Sequence, residues 1–510
     1  MIRQIRALLQ RLKNSPTGLT AVAGYAALVS SMGVGLFSVP LALHFLSNEE
    51  FGLWNIVGQS LGYLLLLDFG VSSSASRLLV GPLRAGNEAE LGSWWTVLIM
   101  VLISQAFLVL AVGWLGRDFI LQFFDLPESM RPATELLWGG LIVVNAIQLP
   151  FRAYTGILFC QDRWYVIHLA NIVSSWVNLL LFAGFLLAGY RTTAYLIASA
   201  SSVACNLVLW NLAVRQSKVT LRFQPRLFSV EKLKKLFGFS SGIFLVMMAS
   251  QIAWMSQSII IGKMLGVGAV AAFVVSCKSS TIVFQLTRRA FDAFNPRWLQ
   301  MYVDGKSESV CQQWRKLMHW WVPVGILGAL GILILNRSFS MLYGGAENHE
   351  GRLFDLMRAA WVLLQTFLLS MNFIFPLASR IRSWAVVGLL DALLQIGLGI
   401  LFTRSMGGSG LLLGSMLASL VVLVPFLLWR SPAELGVRRH TMLRGIGLQY
   451  GGGLLLLGAC FGLLCTPWAR SNGWWPSPVE FLLAGSLCLG TIAIVMRRKR
   501  FLPSPREIEA

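Results

Sequence analysis

Residues 94–115 read WWTVLIMVLISQAFLVLAVGWL, an apolar run without a single charge. As a helix it spans about 33 Å at 1.5 Å per residue, enough to cross a hydrocarbon core about 30 Å thick. Hydrocarbon offers the backbone no hydrogen-bond partner, so a run of this kind is stable only as a helix packed among other helices. The same reading repeats along the 510 residues: spans are expected at 17–46, 51–80, 94–115, 135–159, 164–189, 193–214, 236–262, 267–296, 317–336, 354–378, 384–403, 408–429, 445–465 and 477–496. The expected fold class is an all-α membrane protein of about fourteen transmembrane helices. Very short connections after spans one, seven and eleven make those pairs helical hairpins.

Charge tests the count independently. With the N-terminus inside, 32 of the 42 Lys and Arg fall on cytoplasmic stretches and 9 on outer loops and helix ends, while Lys278 alone sits deep in a span. This bias satisfies the positive-inside rule with both termini in the cytoplasm. An odd count would carry Arg497, Arg498, Lys499 and Arg500 to the outside. The net charge of +20 therefore gives no reason to expect nucleic acid. Arg222, Arg226, Lys232, Lys234 and Lys235 instead form a belt suited to anionic membrane lipids. Met1 to Asn14 is basic with no small-residue cleavage site after the first apolar run, and reads as a signal anchor.

The seven cysteines lie within or beside spans in no metal-binding spacing, and neither a metal nor a cofactor is expected. No P-loop, dinucleotide fingerprint, zinc-protease motif or nucleophile elbow occurs. The outer loops around 116–134, 337–353 and 466–476 are too short for a folded catalytic domain, so an enzyme is not expected.

Two stretches 219 residues apart share one pattern. The first runs Leu46-Ser-Asn-Glu-Glu-Phe-Gly-Leu-Trp54, Leu67-Asp-Phe-Gly70, Arg77 and Ala85-Gly-Asn-Glu88. The second runs Leu265-Gly-Val-Gly-Ala-Val-Ala-Ala-Phe273, Arg289-Ala-Phe-Asp292, Asn295-Pro-Arg297 and Asp304-Gly-Lys-Ser307. Each has a short outer turn, a long helix and a glycine-containing inner turn, as parallel six-helix repeats would produce. The expected organisation is an N-terminal lobe at 1–225 (helices 1–6), a C-terminal lobe at 226–435 (helices 7–12), and two further helices with a basic tail at 436–510.

With these residues in hand, the chain resembles the polysaccharide flippases of the multidrug/oligosaccharidyl-lipid/polysaccharide exporter superfamily. Glu50, Gly52, Leu53, Trp54, Asp68, Phe69, Gly70 and Arg77 carry the resemblance, most specifically over about 45–90. The second repeat departs from the family: Ser256, Gln257 and Ser258 stand before Ile259 to Ile261, where an Asp commonly precedes the paired isoleucines. The resemblance implies movement of an undecaprenyl-pyrophosphate-linked oligosaccharide across a bacterial cytoplasmic membrane by alternating access, for O-antigen, capsule or exopolysaccharide synthesis. It also implies a coupling ion (H+ or Na+) and a polysaccharide polymerase as partner. A drug/cation antiporter on the same fold is the alternative, and a membrane glycosyltransferase or glycan polymerase a third reading.

Polar stripes mark the candidate pathway, because ionisable residues in spans usually face a cavity. Lys278, Gln285, Arg289 and Asp292 fall within about 40° of one another on helix eight at 100° per residue. Lys278 lies about 17 Å in from Val267 at 1.5 Å per residue. It either faces a cavity as an anion-binding group or pairs with an acid such as Asp391. Helix ten carries Arg358, Gln365, Asn372 and Ser379 in steps of seven. Helix five offers His168 and Asn171, and helix four Asn145, Gln148 and Arg152. Asp68 and Arg77 point about 180° apart on an ideal helix and share a cleft only if that helix bends, as Gly70 and Ser72 to Ser74 would permit. Trp176 and Trp254 are available to stack on sugars. Pro40, Pro150, Pro323, Pro376 and Pro425 fall inside spans and favour kinks.

The charge split makes a direct prediction. Cysteine-accessibility labelling should find Leu126→Cys exposed outside and Arg226→Cys inside, and a reversed result at either position refutes the topology.

Overall fold

The computed structural model describes residues 16–217, 219–377, 381–435, 439–466 and 476–486 apart from 478 and 481. The helices are α1 (Pro16–Phe45), α2 (Asn48–Leu64), α3 (Val71–Arg84), α4 (Glu88–Leu115), α5 (Arg117–Phe123), α6 (Arg131–Cys160), α7 (Trp164–Leu187), α8 (Arg191–Gln216), α9 (Val230–Leu265), α10 (Ala269–Val303), α11 (Ser307–Gly344), α12 (Arg352–Asn372), α13 (Ile374–Leu377), α14 (Ile381–Val421), α15 (Leu423–Leu435) and α16 (Arg439–Leu464). Among the described residues, ten helical stretches are long and apolar enough to cross a membrane. The expected spans beyond those ten have visible reasons. Span two is broken into α2 and α3 by a 3-10 turn at Leu65–Asp68. Spans eleven and twelve lie in one apolar stretch, Ser383–Glu434, divided at Gly407, where the backbone leaves the helical region (φ 58°, ψ −140°). Span thirteen corresponds to α16, whose strongly apolar part is the shorter Tyr450–Leu464. Span fourteen, the basic tail and Met1–Asn14 lie largely or wholly outside the described residues. The protein is thus an all-α, multi-pass membrane protein.

Chain contacts group the helices into two compact units, Met1–Ala271 with Ile381–Ile400, and Ala272–Arg380 with Leu401–Ala510. In the first unit, α7 packs on α1 and α8, α6 packs on α3, α4 and α8, and α9 packs on α2. Leu79, Leu98, Leu102 and Ile157 sit in its fully buried core. In the second, α11 packs on α12 and α16 around Val322, Leu333, Val362 and Leu457.

The Glu-Phe-Gly-Leu-Trp turn has a physical explanation in the first unit. Ser47 and Glu50 form a reciprocal capping box at the start of α2, with Ser47 Oγ accepting from the Glu50 N–H at 3.2 Å and Glu50 Oε2 accepting from the Ser47 N–H at 2.9 Å. Arg191 at the start of α8 donates to both Glu50 oxygens, at 2.9 and 2.5 Å. Burial raises the Glu50 pKa, but the Arg191 bonds, the Ser47 N–H and the Arg191 charge together hold it below the usual carboxylate range. A side chain at Gly52 would collide with the Val267 carbonyl. Trp54 packs its ring against Phe182 and Tyr195, at centroid distances of 5.3 and 4.5 Å.

The two repeats converge where the chain turns. Gly86 and Gly305 both adopt left-handed backbone, at φ 64° and 75°, and each turn closes with the paired bonds of a helix C-cap: Gly86 N–H to Leu83 O and Asn87 N–H to Pro82 O, then Gly305 N–H to Tyr302 O and Lys306 N–H to Met301 O. They diverge in the helix before the turn. α10 runs unbroken, whereas Phe69 (φ 49°) and Gly70 (φ 73°) interrupt the first repeat.

Candidate functional site

The interruption in the first unit is built around Asp68, only 2% exposed. Its Oδ1 accepts from Ser72 N–H at 3.2 Å and Ser72 Oγ–H at 2.9 Å, so the carboxylate caps α3. The Asp68 carbonyl, freed by the break, takes a bond of 3.0 Å from Gln105 Nε2. The charge of Arg152 on α6 acts on the same carboxylate. The bend that a shared cleft required is therefore present. It buries Asp68 while Arg77 stays exposed.

The other residues expected in the first unit are dispersed. Asn145 returns its amide to its own helix, bonding Leu141 O at 2.8 Å, and Gln148 is half-buried. His168 is half-buried, meets Trp164 edge to face at 6.0 Å and packs over Gly24. Asn171 is exposed. Trp176 donates its indole N–H to Ser30 Oγ at 2.9 Å. Asp391 on α14 is buried and accepts from Gln395 Nε2 at 2.7 Å.

In the second unit, Arg358 is 2% exposed. Its Nε donates to Ser280 Oγ at 2.8 Å, a terminal nitrogen reaches Cys277 O at 3.4 Å, and the guanidinium lies 4.6 Å from the centre of the Trp361 ring. One turn away a second buried network forms around Asp355. Asn336 Nδ2 donates to Asp355 Oδ1 at 2.6 Å and to Ser276 O at 3.1 Å, and Asn336 Oδ1 accepts from Ser279 Oγ. His349 Nε2 meets Asp355 Oδ2 at 3.0 Å. Gln365 and Asn372, on the line that begins at Arg358, are half-buried. Ser379 lies outside the described residues.

These bonds divide α10 into two faces. Ser276, Ser279 and Ser280 face the Asn336 and Arg358 networks. At 100° per residue, Lys278, Gln285 and Arg289 all lie about 180–220° around the helix from Ser276. Gln285 is exposed, and Lys278 and Arg289 are half-buried. Lys278 stands 9 residues after Ala269 and 11 before Arg289, in the middle of that span. Among the described residues it makes no hydrogen bond or ion pair. Asp292 lies on α10, but its side chain is outside the described set.

Sequence reading missed Asp355, Asn336 and His349. Asn336 carried a signal, a lone amide closing the apolar run Gly331-Ile-Leu-Ile-Leu335. Asp355 and His349 carried none, because they read as ordinary residues of the loop and helix end.

No protein-family model matches the chain, and no curated protein matches it. Among solved structures, it is similar to an inward-facing multidrug resistance MATE family transporter of the MOP superfamily, with TM-score 0.65 and 13% identity over 88% of this chain and 100% of that one. It is also similar to a MATE transporter of Vibrio cholerae, with TM-score 0.59 and 14% identity over 87% and 99%. A third is a MOP superfamily transporter of Pyrococcus furiosus, for which the reverse polarity of the binding pocket suggests a different function, with TM-score 0.56 and 15% identity over 90% and 98%. At such identities the likeness is one of fold: the chain has a MATE-like fold.

One titration outside the spans is testable. Glu350, between α11 and α12, packs beside Gly408 while its N–H bonds Ser276 Oγ at 3.1 Å. Burial pushes its carboxyl above the usual range, with the His349 charge pulling the other way. An acid with a raised folded pKa penalises the fold once ionised, and the penalty disappears as pH falls through that pKa. Glu350→Gln should therefore raise the thermal midpoint at neutral pH. Its advantage over the wild type should shrink as the pH is lowered, and an advantage that is constant with pH contradicts this account.

Proposed function

We propose that the protein is a transporter that moves a polyprenyl-pyrophosphate-linked oligosaccharide between leaflets of a bacterial cytoplasmic membrane by alternating access, in the synthesis of a surface polysaccharide. The observation that carries this reading is Lys278, a half-buried ammonium in mid-span without a partner among the described residues. A charge in that position is costly and persists where it meets water or an anionic ligand. Gln285 and Arg289 on the same face add an amide and a second cation, groups that recognise sugar hydroxyls and phosphate. The glycan headgroup cannot cross hydrocarbon unaided, because its polar groups would be left without hydrogen bonds.

H+ or Na+ as the coupling ion and a polysaccharide polymerase as partner belong to this proposal, as does the grouping of helices into six, six and two. The MATE-like fold favours a second reading, a drug/cation antiporter, since a solved neighbour is a multidrug resistance transporter. Against it, the carboxylates described inside spans are engaged. Asp68 holds Ser72, Asp355 holds Asn336 and His349, and Asp391 holds Gln395. The Pyrococcus furiosus neighbour, whose reversed pocket polarity suggests a different function, supports polarity as what separates functions on this fold.

In a strain lacking its own flippase, the wild-type gene should restore surface glycan. Lys278→Ala should fail to do so at equal protein levels in the membrane, and neither version should confer resistance to cationic dyes. Normal glycan with Lys278→Ala overturns the role of Lys278, and dye resistance without glycan favours the antiporter.

A further inference from the structure

Six hydrogen bonds tie one turn of α10, residues 276–280, to α11, α12 and the segment between them, all within the second unit. Asn336 of α11 donates to the Ser276 carbonyl at 3.1 Å and accepts from Ser279 Oγ. Ser276 Oγ donates to Asn348 O at 3.2 Å and accepts from the Glu350 N–H at 3.1 Å. Arg358 of α12 donates to Ser280 Oγ at 2.8 Å and to Cys277 O at 3.4 Å. Further along, Thr281 and Thr287 return their hydroxyls to carbonyls of α10 itself. The clamp is concentrated on the turn that carries Lys278.

Holding helices together does not require such bonds. Buried charges such as Asp355 and Arg358 are costly, and well-packed apolar side chains of similar volume often hold a core as firmly. What directional bonds add is a fixed rotation, because they weaken steeply once donor and acceptor move out of line. An α-helix with its side chains has a radius of about 5–6 Å, so a turn of about 20° about its axis carries a side-chain end about 2 Å. A binding constellation tolerates only about 0.5 Å. At 100° per residue the bonded positions 276, 279 and 280 cover an arc of about 100°, and Lys278 lies close to the opposite side of the helix. Fixing the one face fixes the other.

We propose that Asn336 is a positioning residue for Lys278: by gripping Ser276 and Ser279 it fixes the rotation of α10, and with it the place of the ammonium. The proposal rests on the reading of Lys278 as the group that meets the pyrophosphate. Asn336 suits the task. It is buried, it bonds two positions three residues apart on α10, and its amide also donates to Asp355 Oδ1 at 2.6 Å. Asp355 is held in turn by His349 at 3.0 Å. The amide cannot swivel without leaving a buried carboxylate short of a donor, which is costly.

Farnesyl pyrophosphate presents the proposed headgroup on a short prenyl chain, and its binding to the full-length protein in detergent is read by titration calorimetry. Lys278→Ala should weaken binding about tenfold, the effect of losing a charged hydrogen-bond partner. Asn336→Leu should weaken it about fivefold through misplacement of the ammonium. In the Lys278→Ala background the same substitution should change binding by less than about 1.5-fold, because a residue that acts through Lys278 has nothing left to act on. Exchanging the pair, as Asn336→Asp with Asp355→Asn, restores the bond between them and the one from Ser279 with donor and acceptor reversed, and should recover binding to within about twofold. Ser279→Ala, which leaves Asp355 paired, should weaken binding about twofold and serves if Asn336→Leu does not fold. Binding unchanged by Lys278→Ala removes the pyrophosphate reading, and this proposal with it. Weakening by Lys278→Ala with no effect of Asn336→Leu or Ser279→Ala, or with the same factor in both backgrounds, overturns the positioning role alone.

Discussion

A charge or an open backbone group in hydrocarbon must find a partner or water, and that requirement organises this protein. A lone charged side chain at mid-bilayer costs about 2.5–3.5 kcal/mol on insertion scales, so each one calls for a partner or for water. Asp68 is consumed: it caps α3 across a helix break whose freed carbonyl Gln105 takes up. Arg358 is consumed by Ser280, Cys277 and Trp361. Asp355 is consumed by Asn336 and His349. Lys278 alone, among the cations described in mid-span, lacks such a contact and points away from these networks.

The same requirement explains what could be read in advance. Span positions follow from the apolar runs, and the turns at Gly86 and Gly305 follow from glycine at matching places in two repeats, since both need left-handed backbone. The break at Asp68-Phe69-Gly70 was visible as a need, because Asp68 and Arg77 could not otherwise meet on one side. What the break does with Asp68 was not visible, because its partners Gln105 and Arg152 lie on other helices. The line Arg358, Gln365, Asn372 looked continuous by spacing alone. Periodicity places residues on a common face but does not say what covers it, and the hydroxyl of Ser280 on α10 captures Arg358 in the core.

The likeness to MATE transporters concerns backbone architecture at 13–15% identity, so the chemistry has to come from side chains. In the spans described here that chemistry is a cation with amide and guanidinium neighbours on one face of α10, while the acids are occupied. An anionic, heavily hydroxylated headgroup satisfies such a face, whereas a cationic drug would meet repulsion there.

The most direct measurement is leaflet accessibility of a polyprenyl-pyrophosphate-linked glycan in liposomes containing the purified protein. The account predicts translocation by the wild type and its loss in Lys278→Gln at equal incorporation. Translocation at an undiminished rate by Lys278→Gln would contradict it.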